Sequence, residues 1–583
     1  MRRSFAFALA TTIGLAAFTL GAAILVSGPA PHTSSLDPYH PDPRVDIQHY
    51  TFRLGLSDEN DNIEGNATVE LLVTADSVAS VTLNLVERNS EGRGMTVASV
   101  SGGQMSGAVD GPMTNDDVDT GGDPSARDLE FTHEGDELNI TLPGDDVATS
   151  GNRYEINIAY SGTPGDGLII SQNKHGGRTF FGDNWPNRAR NWLPSVDHPS
   201  DKATVEFIVE APGHYQVIAT GAPVEESDLA GGRRITHSRS VVPIATKVMV
   251  IGVARFAVDQ VREVNGIPVS SWVYPEDREA GFSDYARAAA ILDYFASHIG
   301  PYPYSKLANV QSTTRYGGME NAGNIFYSEN SISGTGSNEG LLAHEIAHQW
   351  FGDSVTEDDW YHVWLSEGFA TYFTQLYFEH TYGRDRMNAG LRAQRTAIAA
   401  YHDRNPHSPV VDTTITDLND LLSTNSYQKG GWVLHMLRRE VGDENFWSGI
   451  RRYYREHRDD NALTSDLRRA METSSGESLG WFFDQWLHQP GQPEIRATWS
   501  PGDGATINIT IEQLQEGDPF RFPLDIGFVT SPDVGVENHT LDMTMKRQTF
   551  QVELSGAPAD ADSVVAVLDP DVWLLMRGSI SRG

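Results

Sequence analysis

The stretch His344-Glu345-Ile346-Ala347-His348 constrains this chain more than any other. On an α-helix, positions four apart lie about 40° apart around the axis and one turn up. His344 and His348 therefore project from one face and can share one metal ion. Imidazole nitrogen is a preferred zinc ligand, and a reactive zinc takes three protein ligands and leaves a fourth position open. Glu345, beside the first histidine, can reach that open position without binding the metal, where it can act as a general base.

A third ligand is needed, and Glu367 follows after eighteen intervening residues. From Trp364 to Phe378 aromatic and aliphatic residues dominate, which predicts a mostly buried helix. A carboxylate inside such a helix is costly unless it is paired or bound to a metal. His344, His348 and Glu367 are thus the predicted ligands of one Zn2+.

Upstream stands Gly317-Gly318-Met319-Glu320-Asn321. This box, then His344-Glu345-x-x-His348, then Glu367, resembles the M1 family of zinc aminopeptidases, from about residue 40 to the end. The resemblance implies removal of N-terminal residues from peptides. It assigns Glu320 to the free α-ammonium of the substrate and Gly317, Gly318, Met319 and Asn321 to the same binding box. It also singles out Tyr427, in Tyr427-Gln428-Lys429-Gly430, as the donor that stabilises the oxyanion; among twenty tyrosines nothing else marks it.

One segment departs from the family. Asn187-Arg188-Ala189-Arg190-Asn191-Trp192-Leu193-Pro194 is similar to its A-R-x-x-F-P stretch, but Asp183 and Trp185 stand where the family carries Q-x-E or Q-x-Q. That role is not carried over, although Asp183 or Asn184 could supply a polar contact.

The architecture expected is multidomain α+β. Residues 40–258 show short alternating runs split by turns (Tyr50 to Leu56, Ala67 to Val73, Ala203 to Val209), an all-β domain that the resemblance makes saddle-shaped. Within it, Gly102 to Asp128 is predicted to loop out. Residues 259–490 turn helical, with helices expected at Tyr285–Ile299, Leu341–Phe351, Trp364–His380, Trp432–Glu440 and Leu479–Leu487; by resemblance this is a thermolysin-like catalytic domain. Residues 491–583 alternate again, at Ile507, Ile509 and Ile511, then Phe550, Val552 and Leu554, and predict a small β-sandwich. No helical tail is seen after it, so a more open site is expected.

Residues 1–35 read as a targeting segment, with Arg2 and Arg3 before an uncharged run over residues 5–26 that is long enough to anchor in a membrane. Export is expected, as a signal peptide or as a retained anchor. The formal charge of −36 repels nucleic acid and anionic membranes and suits salty surroundings. With no cysteine, disulfides and thiolate metal sites are excluded. Three other functions compete: an epoxide hydrolase on the same scaffold, a silent peptide-binding module, and an endopeptidase. Intact Glu345 and zinc ligands oppose the second, and Glu320 opposes the third. Oligomeric state is left open.

Overall fold

In the computed structural model the described residues are 41–583, without 106–126, 145–146, 531–534 and 557–563. The targeting segment and most of the expected loop after Gly102 lie outside them. Gly102 itself belongs to the strand Gly94–Gln104, and Arg127–Asp128 pairs back on Ser101 and Gly102.

The N-terminal part is all β, as the alternation predicts. Eight strands form one sheet, with Val45–Gly55 at its centre, parallel to Lys202–Pro212 and antiparallel to Ile63–Val73. Arg153–Thr163 shows why the sequence folds this way: Tyr154, Ile156, Ile158 and Tyr160 point inward and every other residue is half-buried. Each such inward side chain stabilises by roughly 1.5–3 kcal/mol relative to exposure. A second sheet of four strands, including Arg178–Gly182, carries the chain to the site.

The region expected to be helical opens instead on a five-stranded sheet. Its order is Ala257–Val264, Ile267–Val273, Leu307–Ser312, Asn324–Ser328 and, on the edge, Gly318–Met319. The first strand is mostly exposed and the third is buried throughout, so neither carries the clean alternation that marks a strand in sequence. The expected helix Tyr285–Ile299 is found as Ala288–His298, with a separate helix, Arg278–Tyr285, just before it.

The helices expected to carry the metal ligands stand close to their expected bounds, at Glu339–His348 and Trp364–Tyr382, and Gly430–Val441 packs beside the second. The last expected helix is a short one, Gly480–Phe483, running into a π-helical turn at Asp484–His488. Beyond residue 490 the strands form a four-stranded and a three-stranded sheet, with Ile507, Ile509 and Ile511 buried on alternate positions of Thr506–Gln513.

Candidate active site

The helix Glu339–His348 is apolar on the side that holds Leu342, Ala343, Ile346 and Ala347, and this buries it and turns its histidines to the cleft. The Nε2 atoms of His344 and His348 lie 3.1 Å apart. Glu367 on the neighbouring helix brings its Oε2 within 3.3 Å of each. On its other ring nitrogen, His348 faces the Phe351 carbonyl at 3.1 Å and the Ser366 hydroxyl at 3.0 Å. An Nδ1–H donating to Phe351 leaves the Nε2 lone pair free for a metal, the usual arrangement behind a zinc-bound histidine.

The electrostatics call for positive charge at this point. Burial alone would lower His348, but the carboxylates of Glu367, Glu320 and Glu345 outweigh it and push it up to about 10. Glu367 is held below its ordinary value: burial opposes this, and the two histidines win. Burial raises Glu345 well above the ordinary carboxyl value, with Glu320 and Glu367 adding to the rise and His348 opposing it. Two nitrogens and a carboxylate oxygen converging on one point, in a nest of acids, fit a divalent cation of zinc's preferences.

Glu345 rests on bare backbone. A Cβ on Gly318 would lie 2.2 Å from its Oε1, so the glycine makes the room in which the carboxylate sits. Gly318 and Met319 form the edge strand, paired with Tyr327 and Phe326. Glu320 follows, buried, in the same cleft as Glu345 and the three ligands. Gly317 and Met319 also line this cleft, while Asn321 is buried and does not.

Gln349, the residue after His348, ties the box to the histidine helix. Its Nε2 donates to the Glu320 carbonyl at 2.5 Å, and its Oε1 accepts from Gly323 N at 2.8 Å. The sequence reading missed it, although its place beside His348 was the available signal. It also missed Lys247. The Lys247 ammonium pairs with Glu357 at 2.5 Å in full burial. Burial works against this charge, but Glu357 and Glu320 outweigh it and raise the ammonium above its ordinary value.

Tyr427 stands in a π-helical turn, Asn425–Lys429, that leads into Gly430–Val441. Its ring stacks on His344 at 5.9 Å. Burial and the neighbouring Glu367 raise its hydroxyl well above the ordinary tyrosine value, so it stays a donor. A close helix crossing brings it there: a Cβ on Gly368 would lie 2.9 Å from the Gly430 backbone.

The departing segment is resolved in an unexpected way. Asp183 is fully buried and binds Arg188 at 2.5 Å and the Thr314 hydroxyl at 3.2 Å. Asn184 donates to the carbonyls of Thr246 and Met249 and accepts from the Trp192 indole. Both are spent inside the protein, so neither supplies the polar contact expected of them. Trp185 is the residue that reaches the cleft.

Comparison with known proteins agrees with this arrangement. Residues 284–486 match the peptidase family M1 domain, and residues 47–247 match the peptidase M1 N-terminal domain. The chain belongs to the M1 peptidase family. It is 31% identical over 368 residues to Tricorn protease-interacting factor F2 of Thermoplasma acidophilum, covering 60% of this chain and 45% of that protein. It is 28% identical to human glutamyl aminopeptidase, covering 59% of this chain and 37% of the relative, and 29% identical to aminopeptidase M1 of Arabidopsis thaliana, covering 57% and 39%. This M1 chain therefore aligns with less than half the length of each of these curated relatives.

Proposed function

We propose that this chain is a zinc-dependent aminopeptidase that removes N-terminal residues from peptides. The observation that carries the reading is the convergence of His344, His348 and Glu367 in one cleft with Glu345 and a separate buried carboxylate, Glu320. Relatives named as aminopeptidases support it.

His344, His348 and Glu367 would hold the zinc, which would supply Lewis acidity for the attacking water and the scissile carbonyl. Glu345, seated on Gly318, takes the proton from the water and hands it to the leaving amine. Its raised affinity for protons suits that exchange. The Tyr427 hydroxyl donates to the carbonyl oxygen as negative charge develops there. Glu320 pairs with the substrate's α-ammonium, which only a chain end possesses, so cleavage is confined to one residue. The edge strand at Gly317 and Gly318 offers backbone groups that align the substrate as a further strand.

In the same reading, the N-terminal β part is the family's saddle domain, the central region its thermolysin-like catalytic domain, and the last strands a β-sandwich. The enzyme is exported through its N-terminal segment, and the −36 charge suits a saline exterior and excludes nucleic acid as a partner. The test is to assay zinc-loaded protein on chromogenic aminoacyl amides beside N-acetylated controls. Release from the free amides and not from the capped ones is expected. Equal cleavage of both contradicts an aminopeptidase, and zinc-loaded protein inert on every amide contradicts an enzyme of this class.

A further inference from the structure

The cleft is small, about 240 Å³, and has two kinds of wall. One is the metal set with Glu345 and Glu320. The other is apolar: Trp185, Tyr316, Met319, Leu341 and Leu422. Among the described residues, those that line it include no lysine or arginine.

The cations standing beside it are spoken for. The Arg188 guanidinium lies 5.7 Å from the centre of the Tyr316 ring and binds Asp183 at 2.5 Å and Asp166 at 3.5 Å. Arg315, preceding Tyr316 in the chain, pairs with the same two aspartates. Two arginines thus meet two carboxylates, Asp183 buried and Arg315 and Asp166 partly exposed. Lys247 is held by Glu357 in full burial. Among the described residues, an acidic substrate side chain would find no unpaired cation here. A basic one would find no unpaired carboxylate among them beyond Glu320, which the substrate's own amine occupies, and Glu345, which the reaction needs for its proton, since Asp183 and Asp166 are taken. A charge brought against such a wall loses its water and gains no partner.

We infer that the cleft selects peptides whose first residue is neutral and apolar, with Trp185 and Leu422 setting that preference. This rests on the aminopeptidase reading above. Trp185 is held in place by its neighbours, being almost fully buried and packed edge-on against Tyr316 and Trp360, with ring centres 6.1 Å from each. A rigid aromatic wall offers a large apolar contact at low entropic cost. Leu422 is only half-buried, so its side chain can be changed without opening the core.

The test compares leucyl, alanyl, glutamyl and lysyl p-nitroanilides with the zinc-loaded enzyme. The leucyl substrate should exceed the glutamyl and lysyl ones in kcat/KM by about 10- to 100-fold, the cost of leaving one charged group unpaired. Leu422→Arg, which adds a free cation to the wall, should raise the glutamyl-to-leucyl ratio by ~10-fold or more. Trp185→Phe, which keeps an aromatic ring in the packed site but shortens the wall, should lower the leucyl-to-alanyl ratio of kcat/KM. A wild-type preference for glutamyl or lysyl substrate, or an unchanged ratio in Leu422→Arg, overturns the inference. If no amide is cleaved, the aminopeptidase reading falls separately, and calorimetry with the hydroxamates of leucine, glutamate and lysine still reads the wall. Tightest binding of the leucine compound then supports the preference, and tighter binding of either charged one overturns it.

Discussion

At the scale of single residues, the proposed function gives the metal and the proton to different side chains. Glu345→Gln keeps all three ligands and removes the proton acceptor. Its zinc content should equal wild type while turnover falls by at least ~10²-fold, typical of a lost general base. His344→Ala, His348→Ala and Glu367→Ala should instead lose zinc, read by metal analysis of the purified proteins. A normal rate in Glu345→Gln, or full zinc in all three alanine variants, contradicts the assignment. Tyr427→Phe removes one hydroxyl and almost no volume while keeping the ring stacked on His344. Steady-state kinetics should show kcat down by about 10²-fold with KM nearly unchanged, because the donor acts on charge present only in the transition state. An unaltered kcat makes Tyr427 a packing residue.

At the scale of elements, the contacts that aim these groups are backbone against backbone. Gly368 and Gly430 let two helices cross closely enough to bring the Asn425–Lys429 turn beside Glu367. Gly368→Ala sets a methyl 2.9 Å from the Gly430 backbone. Thermal or urea unfolding should show a loss of about 1–3 kcal/mol, the usual cost of overpacking, and kcat should fall with it. Unchanged stability and rate would mean that the crossing has slack. This scale also shows what sequence can reveal. The convergence of His344, His348 and Glu367 was legible because helical spacing and burial act within one or two elements. The strands at Ala257–Val264 and Leu307–Ser312 were not, since one is largely exposed and the other wholly buried, and period two needs one face of each kind. The fate of Asp183 was hidden as well. Its ion-pair partner Arg188 is only five residues on, but its burial and its second partner, Thr314, 131 residues away, are seen only in the folded chain.

At the scale of the whole molecule, the β-rich N-terminal part and the catalytic region meet in a buried charge. Lys247 comes from the first and Glu357 from the second, and Glu320 contributes to the field that keeps the ammonium charged. Lys247→Met strands Glu357 without a partner. Unfolding measurements should show a loss of about 3–5 kcal/mol, and adding Glu357→Gln should restore part of it. A neutral single variant would show that water reaches the pair. The central claim is that this molecule recognises a chain end, and charge gives its most direct test. A free α-amine is a cation near neutral pH, with a reference pKa of about 7.7–8.0. Acetylation removes that cation and leaves Glu320 buried and unpaired. The deciding measurement is kcat/KM for one peptide, free and N-acetylated, in wild type and Glu320→Ala, which closes a double cycle. Wild type should strongly prefer the free peptide, and the ratio should be much narrower in the variant, lost on the free-peptide side. The same ratio in both proteins would contradict recognition of the chain end by Glu320.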